Sequence, residues 1–292
     1  MASAVCGTTV RPHDSSMSDL RLVPGSRIRS GIQAVPQPLF GGIGFNPEPA
    51  STGLILPTSP VLDDIGTLWD PAKFAVARAP VVVGAVDPGT LWHDPWLLFG
   101  LPIKFPGSSY RVPIELEWLH EFLQLCINAE QLINADLDNY YAYLDVECSF
   151  VPPHHFQRLP GPHSDAIQGR RIQPKQPVEH FYATVSYDPT RFFVQPFDLA
   201  DCNLETHYVN PVFAQQAHLK NVITHKAGEI TLFDAYTIHE AIQSLRGGER
   251  TFVRLGFSTR QYDRLGNAHN PLFDYAWEMV PRPLPDLIGI PE

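Results

Sequence analysis

The sequence is poor in cysteine. Only 4 cysteines occur among 292 residues, and Cys6, Cys126, Cys148 and Cys202 form no CxxC pair. Scattered single cysteines favour neither a zinc knuckle nor a disulfide framework, because both need cysteines grouped at characteristic spacings. We therefore expect a reducing, cytoplasmic environment for this chain.

Long apolar runs and clusters of positive charge are also scarce. Residues 1–20 contain neither a basic leader nor an apolar segment of signal-peptide length, and no run is long enough to span a bilayer. The formal net charge is -10, and the nearest approach to a basic cluster is Arg170-Arg171. Because a protein that follows a phosphate backbone needs a basic surface, we expect neither a nucleic-acid nor a membrane partner.

What remains is the composition of a folded protein, with 44% hydrophobic and 18% charged residues. Of the 29 prolines, 15 lie between Pro12 and Pro113, which predicts a loop-rich first part with short strands. Residues 1–20 are polar and aperiodic, and we predict a flexible N-terminus there. Residues 21–292 are predicted to form a single domain. Its parts are an extension with a helix (21–139), a core (140–260) and a C-terminal strap (261–292).

The periodicity predicts one helix followed by many strands. Apolar residues recur three and four positions apart between residues 113 and 136, and Pro113 suits a first helical turn. Later segments are rich in β-branched and aromatic residues and are separated by turn residues; they are 140–150, 180–187, 191–197, 229–236 and 250–258. This order is typical of a mainly β fold with flanking helices, in the form of a barrel or jelly roll.

Three residues are candidates for one metal site. His163 and Asp165 are two positions apart, so in an extended backbone their side chains project to the same side. His239 follows 76 residues later, between two predicted strands, which is enough chain for several strands to return to the same barrel mouth. Two histidines and one carboxylate leave open positions on an octahedral metal, as in non-haem Fe(II) oxygenases, whereas zinc is more usually tetrahedral.

The strand after His239 carries two arginines, Arg250 and Arg254, on the same side. Cations within an otherwise apolar strand are costly unless they meet anions. A planar guanidinium can hold a carboxylate with two parallel hydrogen bonds. We therefore predict that one arginine binds the carboxylate of a co-substrate and that the other binds an acidic group on the primary substrate.

The residues His163, Asp165 and His239, followed by Arg250 or Arg254, resemble the HxD…H…R pattern of the Fe(II)/2-oxoglutarate-dependent dioxygenase superfamily. The resemblance covers residues 140–260 and implies a double-stranded β-helix core, that is, a cupin-like jelly roll. In spacing it is closest to the taurine and phytanoyl-CoA dioxygenase-like branches.

This resemblance implies specific roles for residues around the metal. Arg250 would hold the co-substrate and Arg254 the substrate, and Thr190 resembles the threonine that helps to hold the keto acid. Arg170 and Gln157 are further candidates for substrate contacts. The RxS triplet of the plant-type branches is absent, because Leu255 and Gly256 follow Arg254.

The cofactors implied by the resemblance are Fe(II), 2-oxoglutarate as co-substrate and dioxygen, with ascorbate as a stimulant. The implied reaction is hydroxylation of an unactivated C–H bond, with desaturation or cyclisation as variants. The implied substrate is a small polar or acidic molecule such as an amino acid or a natural-product intermediate. Two alternatives are a cupin-like metalloenzyme that does not use 2-oxoglutarate and a non-catalytic β-barrel binding protein. The sequence leaves open the substrate, the oligomeric state and which arginine holds the co-substrate.

Overall fold

The computed structural model describes residues 42–45, 56–165, 176–202, 204 and 209–281. All of them belong to one compact unit. The predicted flexible residues 1–20 lie outside the described part, and the predicted strap is described as far as residue 281. Within these ranges no helix is both long enough and apolar enough to cross a membrane.

The described residues contain few helices, and most of these are short. The α-helices are α1 (Pro60–Asp63), α2 (His120–Ile133) and α3 (Asn210–Gln216). Short 3-10 helices are formed by Pro71–Ala75, Pro88–Leu91, Ile114–Leu119, Leu137–Asn139 and Leu219–Asn221. The helix predicted over 113–136 therefore divides in two. Its first part is a 3-10 helix, in which the buried Leu116 and Leu119, three positions apart, share one face.

Eleven strands are described. They are β1 (Gly42–Phe45), β2 (Val81–Ala85), β3 (Trp96–Lys104), β4 (Tyr110–Pro113), β5 (Tyr141–Val151), β6 (His180–Val185), β7 (Arg191–Phe193), β8 (Val222–Thr224), β9 (Glu229–Asp234), β10 (His239–Glu240) and β11 (Gly248–Ser258). The strands predicted from residue 140 onwards are all present, with ends that differ by a few residues.

The strands form a large sheet and a small sheet, in addition to the pair β1-β4. The large sheet has the order β2-β9-β6-β11-β5-β3 and the small sheet the order β10-β7-β8, and every pairing is antiparallel. A bridge between His163 and His239 adds the segment after β5 to the β10 edge of the small sheet. From β5 onwards the chain thus passes repeatedly between two sheets. This is the double-stranded β-helix arrangement, and the predicted fold class is confirmed.

The large sheet has one face toward α2 and one toward the small sheet. Val253, Leu255 and Phe257 of β11 belong to the main core, which also contains the apolar face of α2. Phe252 of β11 instead joins a second cluster with Phe192 of the small sheet. This alternation, which the sequence predicts for β11, places Arg250 and Arg254 on the face toward the small sheet.

Candidate metal centre

The structure brings His163, Asp165 and His239 together at one end of the small sheet. One potential ligand atom from each residue lies within 4.8 Å of the others. The His239 Nε2 atom lies 3.6 Å from Asp165 Oδ2, and the two imidazole centroids are 4.6 Å apart. Paired backbone hydrogen bonds between His163 and His239, of 2.9 and 3.0 Å, fix the spacing of the two histidines. The predicted convergence of three distant side chains is therefore present.

Backbone carbonyl groups orient both imidazoles. The Nδ1 atom of His163 lies 2.8 Å from the carbonyl oxygen of Gly161, and that of His239 lies 3.1 Å from the carbonyl oxygen of Thr237. A carbonyl oxygen can only accept, so each Nδ1 carries a hydrogen, and in the neutral imidazole the lone pair is then on Nε2. This is the tautomer that a metal ligand needs.

Asp165 is held by a charged partner. Arg254 donates to Asp165 Oδ2 through Nη1, and its Nε donates to Asp145 Oδ2 at 2.7 Å. Asp145 in turn accepts a hydrogen bond of 2.6 Å from the backbone N–H of Gly100. Burial on its own would raise the pKa of the Asp165 carboxyl, but the charge of Arg254 and the two histidines hold that pKa well below its usual range. Asp165 is thus ionised, and Arg254 holds its carboxylate beside the two imidazoles.

Two imidazole nitrogens and one carboxylate oxygen are a donor set that suits Fe(II). Among the described residues neither Nε2 accepts a hydrogen bond, so both lone pairs are available. The residues present therefore fit the metal that the sequence analysis expects. His163, Asp165 and His239 would hold it.

Arg250 is a buried cation that forms no direct ion pair with a described carboxylate. Its side chain donates to three neutral oxygens: the Tyr187 carbonyl at 2.9 Å, the Asp188 carbonyl at 3.0 Å and Gln157 Oε1. Within the described part of the chain no carboxylate lies within 4 Å of it. Burial lowers the pKa of Arg250 to about 10, against the opposing charges of Asp188 and Glu147. Because no described carboxylate pairs directly with this guanidinium, its charge is available to an anion that enters from outside.

Three other predicted residues have different surroundings. Gln157 donates to the Arg250 carbonyl at 2.7 Å through Nε2 and accepts from the Arg250 guanidinium through Oε1. It therefore holds both the backbone and the side chain of Arg250. Thr190 lines a cavity next to Phe192, whose ring lies 5.8 Å from that of His239. Arg170 falls outside the described residues. The substrate and co-substrate roles of all these residues stay predictions.

A buried ion pair that the sequence analysis does not identify stabilises the turn before His239. Arg78, which is 3% exposed, donates to Asp234 at 2.6 Å. Asp234 also accepts from the Tyr236 N–H at 3.1 Å and from the Thr237 hydroxyl at 2.7 Å. Since the Thr237 carbonyl accepts from His239 Nδ1, this network sets the orientation of a candidate ligand. Arg78 lies 161 residues from His239, and no local signal in the sequence connects the two.

Removal of one hydroxyl tests this network. Thr237→Val keeps the side-chain shape but loses the hydrogen bond to Asp234, so we expect the affinity for Fe(II) or Co(II) to fall by about 10- to 100-fold. Metal titration followed by Co(II) absorption measures this, and Thr237→Ser should restore affinity. Thr184→Val is the matched control, because the buried Thr184 hydroxyl has no hydrogen-bond partner among the described residues. Equal affinities of wild type and Thr237→Val would contradict the prediction.

The metal-free protein should be sensitive to acid. Burial lowers the pKa of His239 to about 4, against the opposing charge of Asp165. Above pH 6.5 the imidazole is neutral in both the folded and the unfolded state, and the protein has its full stability. As the pH falls from 6.5 toward 4, the unfolded state binds a proton before the folded state does, so stability is lost. We expect His239 to account for roughly 2–3 kcal/mol of lost stability between pH 7 and pH 4.5. Urea unfolding of chelator-treated wild type and His239→Gln measures this. The variant should show the smaller loss, and parallel pH curves would refute the assignment.

Comparison with known proteins gives matches among solved structures only. No family model and no curated protein matches the sequence. EvdO2 from Micromonospora carbonacea var. aurantiaca, complexed with 2-oxoglutarate, is 11% identical with a TM-score of 0.39, covering 76% of this chain and 100% of that one.

Two further similar structures are enzymes by description. The viral collagen prolyl hydroxylase vCPH from Paramecium Bursaria Chlorella virus-1, also a 2-oxoglutarate complex, is 15% identical with a TM-score of 0.32. It covers 50% of this chain and 75% of its own. SnoN, an alpha-ketoglutarate-dependent epimerase from nogalamycin biosynthesis, is 13% identical with a TM-score of 0.35 and covers 74% and 91%. The TM-scores of these three structures are all below 0.5.

Proposed function

We propose that this chain is a non-haem Fe(II)- and 2-oxoglutarate-dependent dioxygenase that oxidises an unactivated C–H bond of a small polar or acidic molecule. The observation that carries the proposal is the combination of a His-Asp-His triad with a buried arginine, on the next strand in sequence, whose described hydrogen bonds all go to neutral oxygens. The triad supports a metal with open positions. The arginine supports a co-substrate that brings its own carboxylate.

The spacing of the two arginines fits a dicarboxylate. Arg254 lies at the metal centre, and Arg250 is four residues away on the same face of β11, which is about 13 Å between Cα atoms. A five-carbon keto acid and an extended arginine side chain together cover that distance. In this arrangement Arg250 binds the distal carboxylate and Thr190 donates a hydrogen bond to it.

The remaining residues control access and orientation. The aromatic side chains Phe192, Phe233 and Phe252 line the space between the sheets and exclude water from it. Asp165 stays ionised because Arg254 is paired with it. Fe(II), when bound, supplies the activation of dioxygen that is coupled to oxidative decarboxylation of 2-oxoglutarate to succinate. The chain's own task is to place the substrate C–H bond next to that centre.

A two-part measurement tests the proposal. Purified protein reconstituted anaerobically with Fe(II) should hold about one iron per chain. With ascorbate in air it should then release succinate from 2-oxoglutarate. Bound iron with turnover that does not depend on 2-oxoglutarate would favour a cupin-like metalloenzyme instead. No bound iron and no turnover would favour a non-catalytic binding protein.

A further inference from the structure

A third cation, Arg158, packs over the face of the large sheet that carries Arg250 and Arg254, and it belongs to neither the triad nor the Arg250 site. The guanidinium carbon of Arg158 lies 5.0 Å from the ring centroid of Phe99 and 4.6 Å from that of Phe252. Its side chain is 24% exposed. Two aromatic rings therefore hold the guanidinium, while part of the group stays open to solvent.

Its neighbours place Arg158 beside the metal centre. Phe252 is two residues before Arg254 on the same face of β11. Phe99 directly precedes Gly100, whose N–H binds Asp145, the partner of Arg254. Arg158 thus lies on the β3–β5 side of the triad, whereas Arg250 is fixed by carbonyl groups that follow β6.

Arg158 has donors to spare. Its ion pair within the described residues joins Nη1 to Glu147 Oε2 at 3.2 Å, and the Glu147 side chain is 15% exposed. Among the described residues, neither Nε nor Nη2 of Arg158 makes a hydrogen bond, and Glu147 Oε1 accepts none. The pair therefore presents one cationic and one anionic group, each with free hydrogen-bonding capacity.

Arg254 is less free to bind a substrate anion. Its Nη2 lies 2.5 Å from Asp145, and its Nη1 pairs with Asp165. Opening either pair would leave a carboxylate of the metal centre without its cation, at a cost of several kcal/mol. Opening the Arg158–Glu147 pair would not expose a carboxylate of the metal centre, because Glu147 is not part of the triad.

We propose that Arg158 and Glu147 bind the carboxylate and the ammonium group of a small zwitterion, that is, an α-amino acid or a molecule that carries the same two charges. The inference rests on the proposed function and names the substrate class of that site. A zwitterion that enters the pair gives each protein charge a new partner of opposite sign. An anion would meet repulsion from Glu147, and a cation would meet repulsion from Arg158.

The two rings that hold Arg158, Phe99 and Phe252, add selectivity for a planar anion such as a carboxylate. Since Phe99 and Phe252 fix the plane of the guanidinium, little side-chain entropy is lost when a carboxylate binds it with two parallel hydrogen bonds. Lysine at this position would keep the charge but lose the planar fork.

The experiment compares matched compounds in two assays. L-amino acids, their carboxamides and their deaminated acids are tested for stimulation of succinate release by the iron enzyme. They are also tested for binding to the Zn(II)-substituted protein with 2-oxoglutarate by saturation-transfer NMR, which needs no turnover. We expect at least one amino acid to bind and stimulate, and both analogues to be about 10- to 100-fold weaker.

Variants of Arg158 and Glu147 test whether these two residues bind the amino acid. Arg158→Gln and Glu147→Gln should each raise the KM for the amino acid by about 10- to 100-fold and change metal affinity and the KM for 2-oxoglutarate far less. Arg158→Lys should have an intermediate effect. Arg111→Gln is the control, because Arg111 also stacks on a phenylalanine ring, at 4.8 Å, but is exposed and donates to the Leu272 carbonyl.

Two sets of results overturn the inference. One is binding of the carboxamide or the deaminated acid as tightly as the amino acid, or binding of no amino acid in the NMR assay. The other is a variant effect confined to the KM for 2-oxoglutarate, which would assign Arg158 to the co-substrate. Failure of the proposed function looks different: succinate release is then absent, while the NMR assay still reports on the subsite.

Discussion

Asp165→Ala is expected to abolish iron-dependent succinate release, with a loss of more than about 1,000-fold. The substitution removes one of the three proposed ligands and also leaves the Arg254 Nη1 group without its carboxylate partner beside the two imidazoles. A divalent cation would then meet an uncompensated positive charge in place of a ligand. Iron analysis after desalting should show occupancy falling from about one per chain to near zero.

The control for Asp165 is another aspartate. Asp63→Ala removes an exposed carboxylate of α1 and should leave both iron content and turnover unchanged. Thermal unfolding of metal-free Asp165→Ala and wild type shows whether the loss arises from unfolding. A folded Asp165→Ala protein that keeps its iron and its turnover would remove this residue from the metal centre.

Arg250→Met should raise the KM for 2-oxoglutarate by about 100-fold while iron still binds. Methionine fills much of the arginine volume, but it supplies neither charge nor donors. The affinity for iron should be retained because Arg250 contacts Gln157 and two backbone carbonyls rather than the triad. Steady-state kinetics with varied 2-oxoglutarate, together with metal titration, separates the two effects.

Arg254→Met gives the contrasting result. Arg254 holds Asp165, so its loss should weaken metal binding first and affect the KM for 2-oxoglutarate less. If instead Arg254→Met raised the KM for 2-oxoglutarate and Arg250→Met did not, the two arginines would exchange roles. This comparison resolves the choice that the sequence leaves open.

The sequence predicts much of the core because its signals are local. Two-residue spacing places His163 and Asp165 on one side of the chain, and alternation along β11 separates Arg250 and Arg254 from Val253. These inferences need only the geometry of extended backbone. The helix predicted from Pro113 is less accurate, because 3-10 and α-helical segments share similar apolar spacings over a single turn.

Other features depend on contacts between residues far apart in the chain. Arg158 has no signal of its own in the sequence, since its aromatic walls, Phe99 and Phe252, lie 59 residues before it and 94 after it. Arg78, which pairs with Asp234 in the network that leads to Thr237, likewise lies 156 residues from its partner in the sequence. Such residues become recognisable only when strand register places them together.

The sequence by itself determined the class of fold and the three residues that converge, because hydrophobic periodicity and ligand spacing are properties of short segments. Only the tertiary structure decided which arginine pairs with which carboxylate. It paired Arg254 with Asp145 and Asp165, left Arg250 among neutral carbonyl oxygens, and set Arg158 beside Glu147. The reason is physical: the energy of a buried charge depends on its partners, and the pairing of β11 with β5 and β6 selects those partners.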